Sequence, residues 1–195
     1  MAVERILVVG NGGRENALAW ALARSPQQPQ VWISPGNGAS AAIPGCTVLS
    51  HAASDAAALA SCCQTLGIDL AVIGPEAPLA AGLADQLRSD GIAVFGPGAD
   101  GAQLEASKEW AKTLMQQAGV PTAGFWVATS AEQGQAIAQE QGKALVVKAD
   151  GLAAGKGVTV ASSLEETLAA IEECFSGRFG DAGQRVVLEL SLIHI

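Results

Sequence analysis

Strand-like and helix-like patterns alternate along roughly the first hundred residues. Residues 5–9 (Arg-Ile-Leu-Val-Val) form an apolar run of the kind found in central parallel strands. A glycine-rich turn follows, and residues 16–22 then carry apolar side chains at helical spacing. Similar patterns predict strands at 31–33, 47–49, 69–73 and 92–95 and helices at 55–66 and 79–88. This alternation predicts a doubly wound α/β domain with a parallel sheet.

The second half of the chain shows a different order of elements. A helix at 107–117 precedes a short linker at 119–122. The patterns then predict a strand, a helix, two strands separated by a glycine-rich loop, a helix and a strand, at 125–127, 130–141, 144–147, 158–161, 163–175 and 185–189. These elements predict a smaller α+β unit built around the glycine-rich loop.

The amino-acid composition favours a folded protein and argues against some classes of binding partner. Hydrophobic residues make up 49% of the 195 residues and charged residues 15%, so a core is readily buried and disorder is not expected. The net charge of -8, without a basic stripe, argues against binding to duplex nucleic acid. Charged residues at positions 4 and 5 interrupt any leader pattern, and no apolar run is long enough to cross a bilayer. We therefore expect a cytoplasmic protein with no membrane partner.

The four cysteines form neither a metal-binding nor a disulfide pattern. They lie at positions 46, 62, 63 and 174, and none belongs to a Cys-x-x-Cys pair. We expect small buried thiols in a reducing compartment.

The turn after the first strand, residues 10–15 (Gly-Asn-Gly-Gly-Arg-Glu), is typical of an anion site. It ends at a helix N-terminus, whose free amides and partial positive charge favour phosphate groups. A dinucleotide fingerprint, Gly-x-Gly-x-x-Gly, would need glycine where Glu15 stands. A nicotinamide-dependent dehydrogenase is therefore disfavoured, and a phosphate on a smaller ligand is favoured.

Two side chains of this turn have alternative roles. Glu15 either completes the helix start or hydrogen-bonds ligand hydroxyls, and Arg14 is either a ligand clamp or a surface residue. Ligands of such sheets bind beyond the carboxyl ends of the strands. Glu76 follows a strand there and is either a ligand contact or a solvated turn residue. The residues expected at this edge are Gly12, Gly13, Asn37, Gly74, Pro75 and Glu76.

The loop at residues 148–158 is the second candidate phosphate site. Three glycines and Lys156 follow the strand that ends near Lys148. Successive backbone amides in such a turn form a concavity for anions, and the lysines add positive charge. The pattern favours a nucleotide polyphosphate, with a glycine-rich hairpin and solvated lysines as the alternative. It is not a Walker A loop, because the Gly-Lys-Ser/Thr ending is absent. Lys108, in the first turn of its helix, opposes the helix dipole unless an anion compensates it.

Five motifs together carry a family resemblance. They are Val-Gly-Asn-Gly-Gly-Arg-Glu at 9–15, Pro-Gly-Asn at 35–37, Gly-Pro-Glu-Ala-Pro-Leu at 74–79, Gln-Leu-Glu-Ala-Ser-Lys at 103–108 and Lys-Ala-Asp-Gly-Leu-Ala-Ala-Gly-Lys-Gly-Val at 148–158. Over about residues 4–189 the chain resembles the phosphoribosylamine–glycine ligase (glycinamide ribonucleotide synthetase) family, ATP-grasp enzymes of purine biosynthesis. The combination is much more specific than either glycine loop alone.

The resemblance implies an ATP-dependent ligation. ATP would activate the carboxylate of glycine as glycyl phosphate, and the amine of 5-phosphoribosylamine would then attack it, giving glycinamide ribonucleotide. The implied cofactors are ATP and Mg²⁺ (or Mn²⁺), with the metal ligands outside this chain. No covalent nucleophile is implied, so catalysis would rest on positioning and electrostatics.

The resemblance also implies binding residues. Glu189 would receive the adenine amino group. The residues implied to bind phosphoribosylamine are Gly12, Gly13, Arg14, Glu15, Asn37, Pro75 and Glu76. The residues implied to bind ATP are Lys108, Lys148, Gly151, Gly155, Lys156, Gly157 and Glu189.

A division of the chain follows from the same resemblance. We expect a pre-ATP-grasp, Rossmann-like substrate domain at 1–103, a connecting helix and linker at 104–122, and the first ATP-grasp lobe at 123–189. The second lobe is expected to be missing and residues 190–195 to be a non-native tail, so we expect this chain alone to be an inactive monomer. Asn16 stands where the family usually has histidine, so altered substrate contacts are expected.

Two alternatives stand beside this ligase. One is a non-catalytic fragment that binds a nucleotide or phosphate. The other is a different ATP-grasp enzyme, either another carboxylate–amine ligase or a carboxylase subunit. The Gly-Asn-Gly-Gly-Arg-Glu turn argues against the carboxylase subunit.

Overall fold

The chain folds into two compact units, Met1–Ala102 and Gln103–Ile195, in a computed structural model that describes residues 3–153 and 156–192. Each unit contains one sheet and its own buried apolar core. Within the described ranges, no helix combines the length and the apolar character that a membrane span needs.

The first unit contains a five-stranded parallel sheet. Its strands are β1 (Arg5–Gly10), β2 (Gln30–Pro35), β3 (Cys46–Val48), β4 (Leu70–Ile73) and β5 (Ala93–Phe95). They lie in the order β3-β2-β1-β4-β5, and each neighbouring pair is parallel. This topology confirms the predicted doubly wound sheet.

Helices cover both faces of this sheet. They are α1 (Gly13–Ala23), α2 (Ala56–Leu66), α3 (Glu76–Ala80) and α4 (Leu83–Ser89), and α5 (Ala99–Ala106) follows β5. Successive residues of a strand face opposite sides, so Leu7 and Val9 of β1 pack in the core with α2 and α4. Ile6 and Val8 pack in the second core with Ala19 of α1. The buried run at 5–9 therefore reflects a strand covered on both faces.

Two features of the first 106 residues differ from the prediction. The helix predicted at 79–88 is two short helices, because Gly82 has a left-handed backbone (φ 87°) that a right-handed helix cannot continue. Helix α5 was not predicted, since Gly101 and two charged side chains weaken its helical pattern.

The second unit is an antiparallel sheet with helices. Its elements are α6 (Lys108–Gln117), β6 (Phe125–Ala128), α7 (Ala131–Gln141), β7 (Val146–Ala149), β8 (Val158–Val160), α8 (Leu164–Glu173) and β9 (Val186–Glu189). The strand order is β6-β9-β7-β8, with antiparallel pairing throughout. The predicted strand–loop–strand arrangement is confirmed by the β7–β8 pair. The helix predicted at 163–175 ends earlier, and a π-helical turn, Cys174–Arg178, containing left-handed Gly177 (φ 88°), follows it.

The two faces of this sheet carry different side chains. Val147 of β7 and Leu188 of β9 are fully buried in a core that includes residues of α7 and α8. Because side chains alternate along a strand, Lys148 and Glu189 project from the opposite face. The sheet thus places two charged side chains together, away from the apolar core.

Candidate functional site

The first candidate site lies in the first unit, at the carboxyl ends of β1 and β4. The sheet order puts the strands that follow them on opposite sides, which makes this edge a topological switch point, where ligands of such folds bind. Gly12 caps α1 and Gly13 is its first residue, while Pro75 caps α3 and Glu76 is its first residue. Helix α1, which is 11 residues long, begins at this edge and presents its free N-terminal amides there.

Glu15 is buried behind the turn between β1 and α1. It is 3% exposed, and its Oε2 accepts a hydrogen bond from the Gly12 N–H at 2.8 Å. A Cβ added at Gly10 or Gly74 would overlap the Glu15 side chain, so both glycines leave room for the carboxylate. Of the two roles open to Glu15, the geometry supports completion of the helix start.

Arg14 joins the turns that follow β1 and β4. Its Nε donates to Glu15 Oε1 at 2.6 Å, its Nη2 donates to the Gly74 carbonyl, and its Nη1 lies 3.5 Å from Glu76 Oε1. The hydrogen bond to Glu15 raises the pKa of the Arg14 guanidinium. More than half of the side chain is exposed, so a fixed cation faces the solvent at the switch point. This arrangement suits a clamp for an anionic ligand.

Asn37 brings the loop after β2 to the same place. Its Nδ2 donates to the Asn11 carbonyl at 3.1 Å and to the Gly12 carbonyl at 3.3 Å. Ser40 Oγ accepts from the Asn37 N–H at 2.9 Å and donates to Asn16 Oδ1 at 2.8 Å. Asn16 therefore helps to hold this loop through its hydrogen bond with Ser40. The sequence did not indicate this contact.

The second candidate site lies in the second unit, on the face of the sheet away from α7 and α8. Glu189 pairs in register with Val146 on β7 and with Phe125 on β6. Lys148 is two residues along from Val146, which makes it a diagonal neighbour of Glu189. The Lys148 Nζ lies 2.8 Å from Glu189 Oε1.

Lys112 of α6 is a site residue that the sequence analysis missed. Its Nζ lies 3.0 Å from Glu189 Oε2, and the residue is only 8% exposed. Its spacing of four from Lys108 was an available signal, because such residues share a helix face. The glutamate thus has a lysine beside each carboxylate oxygen.

Lys108 and Asp150 connect α6 to the start of the glycine-rich loop. Lys108 Nζ donates to the carbonyls of Asp150 at 3.3 Å and Gly151 at 3.1 Å. The Asp150 carboxylate accepts from Ser107 Oγ at 3.0 Å and from the Glu109 N–H at 2.7 Å. Asp150 is thus the anion that compensates Lys108 at the helix N-terminus, and sequence analysis gave it no role.

Burial lowers the pKa of the Lys108 ammonium. The Asp150 carboxylate opposes this shift and the Lys148 ammonium adds to it, with smaller opposing contributions from Glu105 and Glu189. These charges therefore lie within electrostatic reach of one another inside the second unit.

The glycine-rich loop is closely packed where it leaves and rejoins the sheet. A Cβ at Gly151 would lie 2.8 Å from Ala182 Cβ, and a Cβ at Gly157 would lie 2.7 Å from Ala153 Cβ. Lys156 is exposed, and its backbone N–H donates to the Ala153 carbonyl at 2.9 Å. Gly155, also predicted to bind ATP, lies outside the described residues. A cavity of about 530 Å³ borders this loop, with Asp150, Gly151, Leu152, Phe179 and Arg185 among its lining residues.

Metal-ligating side chains are not grouped in the described part of the chain. No cluster of three or more His, Cys, Asp or Glu residues is placed to hold a metal ion within residues 3–153 and 156–192.

Comparison with known families decides the assignment. The N domain of phosphoribosylglycinamide synthetase matches residues 4–105, and the ATP-grasp (A) domain of the same enzyme matches residues 106–193. The chain belongs to the phosphoribosylglycinamide synthetase family. The resemblance seen in the sequence motifs is thereby confirmed.

Relatives of this chain are considerably longer. It is 52% identical over 185 residues to the phosphoribosylamine–glycine ligase of Nostoc sp., covering 95% of this chain and 44% of the relative. It is also similar to the crystal structure of phosphoribosylamine–glycine ligase from Thermotoga maritima, with 31% identity and a TM-score of 0.76 over 96% of this chain and 44% of that one. The chain thus spans less than half the length of these relatives.

A more distant structure shares the fold. The biotin carboxylase domain of 2-oxoglutarate carboxylase from Hydrogenobacter thermophilus, solved with MgADP and bicarbonate, is 18% identical with a TM-score of 0.71. The match covers 97% of this chain and 44% of that one. At this identity the likeness shows a shared fold alone.

Proposed function

We propose that the protein containing this chain joins glycine to 5-phosphoribosylamine with ATP, giving glycinamide ribonucleotide, ADP and phosphate. Membership of the phosphoribosylglycinamide synthetase family and the names of its relatives support this reaction. The chain spans 44% of the length of the Nostoc relative. We therefore assign it two binding functions and propose that the 195 residues alone do not complete the reaction.

The arrangement of Arg14 at the switch point is the observation that carries the proposal. Its guanidinium is fixed by Glu15, the Gly74 carbonyl and Glu76, yet remains more than half exposed. It stands beside the N-terminus of α1, where amides favour a phosphate. The phosphate of 5-phosphoribosylamine is the anion assigned here, with the carboxylate of Glu76 available to the sugar hydroxyls or the amine.

The nucleotide is assigned to the second unit. Lys108 and Lys148 supply positive charge for the ATP phosphates, with Lys156 and the loop at 151–157 completing that set. Glu189 is assigned to the exocyclic amino group of adenine. The support is chemical: among the described residues, Glu189 Oε1 is the buried side-chain polar atom that lacks a hydrogen bond, although Lys148 lies within ion-pair distance.

The chemistry needs positioning more than a reactive side chain. A carboxylate is a poor acyl donor, and its phosphorylation supplies a leaving group. The lysines balance charge that develops as the phosphoryl group moves, and the loop amides orient its oxygens. A divalent cation, when bound with the nucleotide, would help to neutralise the charge of the phosphates, and we place its ligands outside the described residues.

A binding experiment tests the sugar-phosphate site directly. Isothermal titration of the 195-residue chain with ribose 5-phosphate, a stable probe carrying the same ring and phosphate, should show binding. Arg14→Met should weaken it at least about tenfold, because a charge-assisted hydrogen bond to phosphate is lost. Arg24→Met, which changes an exposed arginine at the opposite end of α1, is the control and should leave the affinity unchanged. Equal affinities for all three proteins would remove the assignment of this site.

Turnover tests the reaction itself. Phosphate release with glycine, phosphoribosylamine and ATP is measured on this chain and on a chimera completed with the remaining part of the Nostoc relative. We expect activity that depends on glycine only in the chimera. Activity in the short chain would refute the proposal that the 195 residues alone do not complete the reaction. An inactive chimera that binds both ligands would refute the ligase assignment.

A further inference from the structure

Lys112 is a buried lysine that the proposed reaction does not use. Its Nζ donates to Thr122 Oγ1 at 2.9 Å and to the Ala123 carbonyl at 3.1 Å. It also lies 5.4 Å from the centre of the Phe125 ring, within the range of a cation–π contact. Together with Glu189 Oε2 at 3.0 Å, these groups surround the ammonium and fix its position.

The two oxygens of Glu189 differ in how they are held. Oε2 faces the anchored ammonium of Lys112. Oε1 lies 2.8 Å from Lys148 Nζ but has no hydrogen bond among the described residues, so that contact is an ion pair of unfavourable hydrogen-bond geometry. A buried carboxylate oxygen without a hydrogen bond still has acceptor capacity for a ligand donor.

The two lysines differ in their freedom to move. The Lys112 side chain is 10% exposed and has several protein partners, whereas the Lys148 side chain is 26% exposed. Within residues 3–153 and 156–192, Glu189 is the charged partner that the structure gives Lys148. Lys148 can therefore turn towards a phosphate without leaving Glu189 uncompensated, because Lys112 stays in place.

We propose that Lys112 is a positioning residue for base selection: it holds the Glu189 carboxylate so that Oε1 accepts the exocyclic amino group of adenine. This inference rests on the nucleotide site proposed above. At the corresponding position guanine carries an oxygen, which a fixed carboxylate repels. A carboxylate released from Lys112 would follow Lys148 and discriminate less well between the two bases.

The test is nucleotide selectivity in the chimera completed with the Nostoc sequence. The ratio of kcat/KM for ATP to kcat/KM for GTP is measured for the parent chimera, for Lys112→Met and for Lys143→Met. Lys143 is exposed, so its variant is a matched control for the same change. We expect Lys112→Met to lower the ratio about tenfold or more, as the loss of a hydrogen bond to a charged group predicts. Lys143→Met should leave the ratio unchanged.

A second variant keeps the test decisive if Lys112→Met does not fold, which circular dichroism would show. Thr122→Val removes one hydrogen bond from Lys112 and keeps its charge. It should lower the ratio only about two- to fivefold, because the Ala123 carbonyl and Glu189 still hold the ammonium. A purely structural role for Lys112 would lower kcat/KM for both nucleotides equally, and an unchanged ratio in the folded variants would overturn the proposal. A parent chimera with no preference for ATP would instead refute the nucleotide site itself.

Discussion

Glu15 accepts a hydrogen bond from the backbone N–H of Gly12 at 2.8 Å while only 3% of its surface is exposed. The same carboxylate binds Arg14 Nε at 2.6 Å. A single buried charge thus fixes both the turn after β1 and the guanidinium that projects from it. Glu15 therefore couples the stability of this turn to the ligand binding proposed for it.

Replacing the carboxylate tests that coupling. Glu15→Gln keeps the shape but removes the charge, so the bonds to Gly12 and Arg14 weaken. We expect the free energy of unfolding to fall by about 1–3 kcal/mol, the usual cost of disturbing a buried charged hydrogen bond. Urea denaturation measures the change, and Glu140→Gln at an exposed helix position is the control. Equal stability of both variants would show that Glu15 does not hold the turn.

Two glycines of the first site should respond differently to alanine. A Cβ at Gly74 would overlap Glu15, whereas a Cβ at Gly13 meets no atom within 4 Å. Gly74→Ala should therefore cost about 1–3 kcal/mol of stability through overpacking. Gly13→Ala should be neutral or stabilising by up to about 1 kcal/mol, because alanine favours the helix more than glycine does. Thermal unfolding of both variants distinguishes the two effects.

Gly13→Ala also separates folding from binding. The open space in front of Gly13 is where a phosphate would approach the α1 amides. We expect this variant to fold normally and to bind ribose 5-phosphate at least about tenfold more weakly than the parent chain, since the methyl group blocks hydrogen bonds to a charged ligand. Titration at matched protein concentration measures this loss. Undiminished binding would place the phosphate elsewhere.

Asp150 should matter for the stability of α6. Its carboxylate accepts the Glu109 N–H at 2.7 Å and the Ser107 hydroxyl at 3.0 Å. Asp150→Ala removes both bonds and should lower the free energy of unfolding by about 1–2 kcal/mol, as expected for the loss of a side-chain acceptor at a helix N-terminus. Asp181→Ala, at another position bordering the same cavity, is the comparison variant for chemical denaturation.

Adjacent Cys62 and Cys63 should differ in reactivity. Burial raises the pKa of the Cys63 thiol to about 12, with smaller contributions from Cys62 and Asp90, and the residue is 1% exposed. Mass spectrometry after iodoacetamide treatment of the native protein at pH 8 should show alkylation of partly exposed Cys62 and protection of Cys63. Alkylation of both at similar rates would contradict the packing of α2.

The raised pKa of Cys63 also gives a dependence of stability on pH. The thiol ionises more readily in the unfolded chain, so folding retains a proton that the unfolded chain loses. The contribution of the protonated Cys63 thiol to the free energy of unfolding is complete below the ordinary pKa of 9.0. It declines as the pH rises towards the folded-state pKa of about 12. The stability difference between the parent chain and Cys63→Ala should therefore shrink above pH 9, as urea titrations at pH 7 to 10.5 would show.

Local chemistry was sufficient to predict most elements. The apolar run at 5–9 and the strand–loop–strand arrangement around the glycines both appear in the structure. Helix boundaries near Gly82 and Gly177 were missed, because left-handed backbone angles there are set by the packing of the chain as well as by the glycine itself.

The amino-acid sequence alone carried the five motifs that resemble the family and determined the two glycine-rich turns, because these depend on residues close together in the sequence and on backbone properties that glycine confers locally. Only the tertiary structure decided which charges face each other. Lys112 and Glu189 are 77 positions apart in the numbering, and their ion pair exists because α6 and β9 pack together. Likewise, it was folding that brought the Asp150 carboxylate to the Glu109 N–H at the start of α6 and buried Glu15 behind its turn. Such contacts depend on burial and strand register, which no local pattern of residue types specifies.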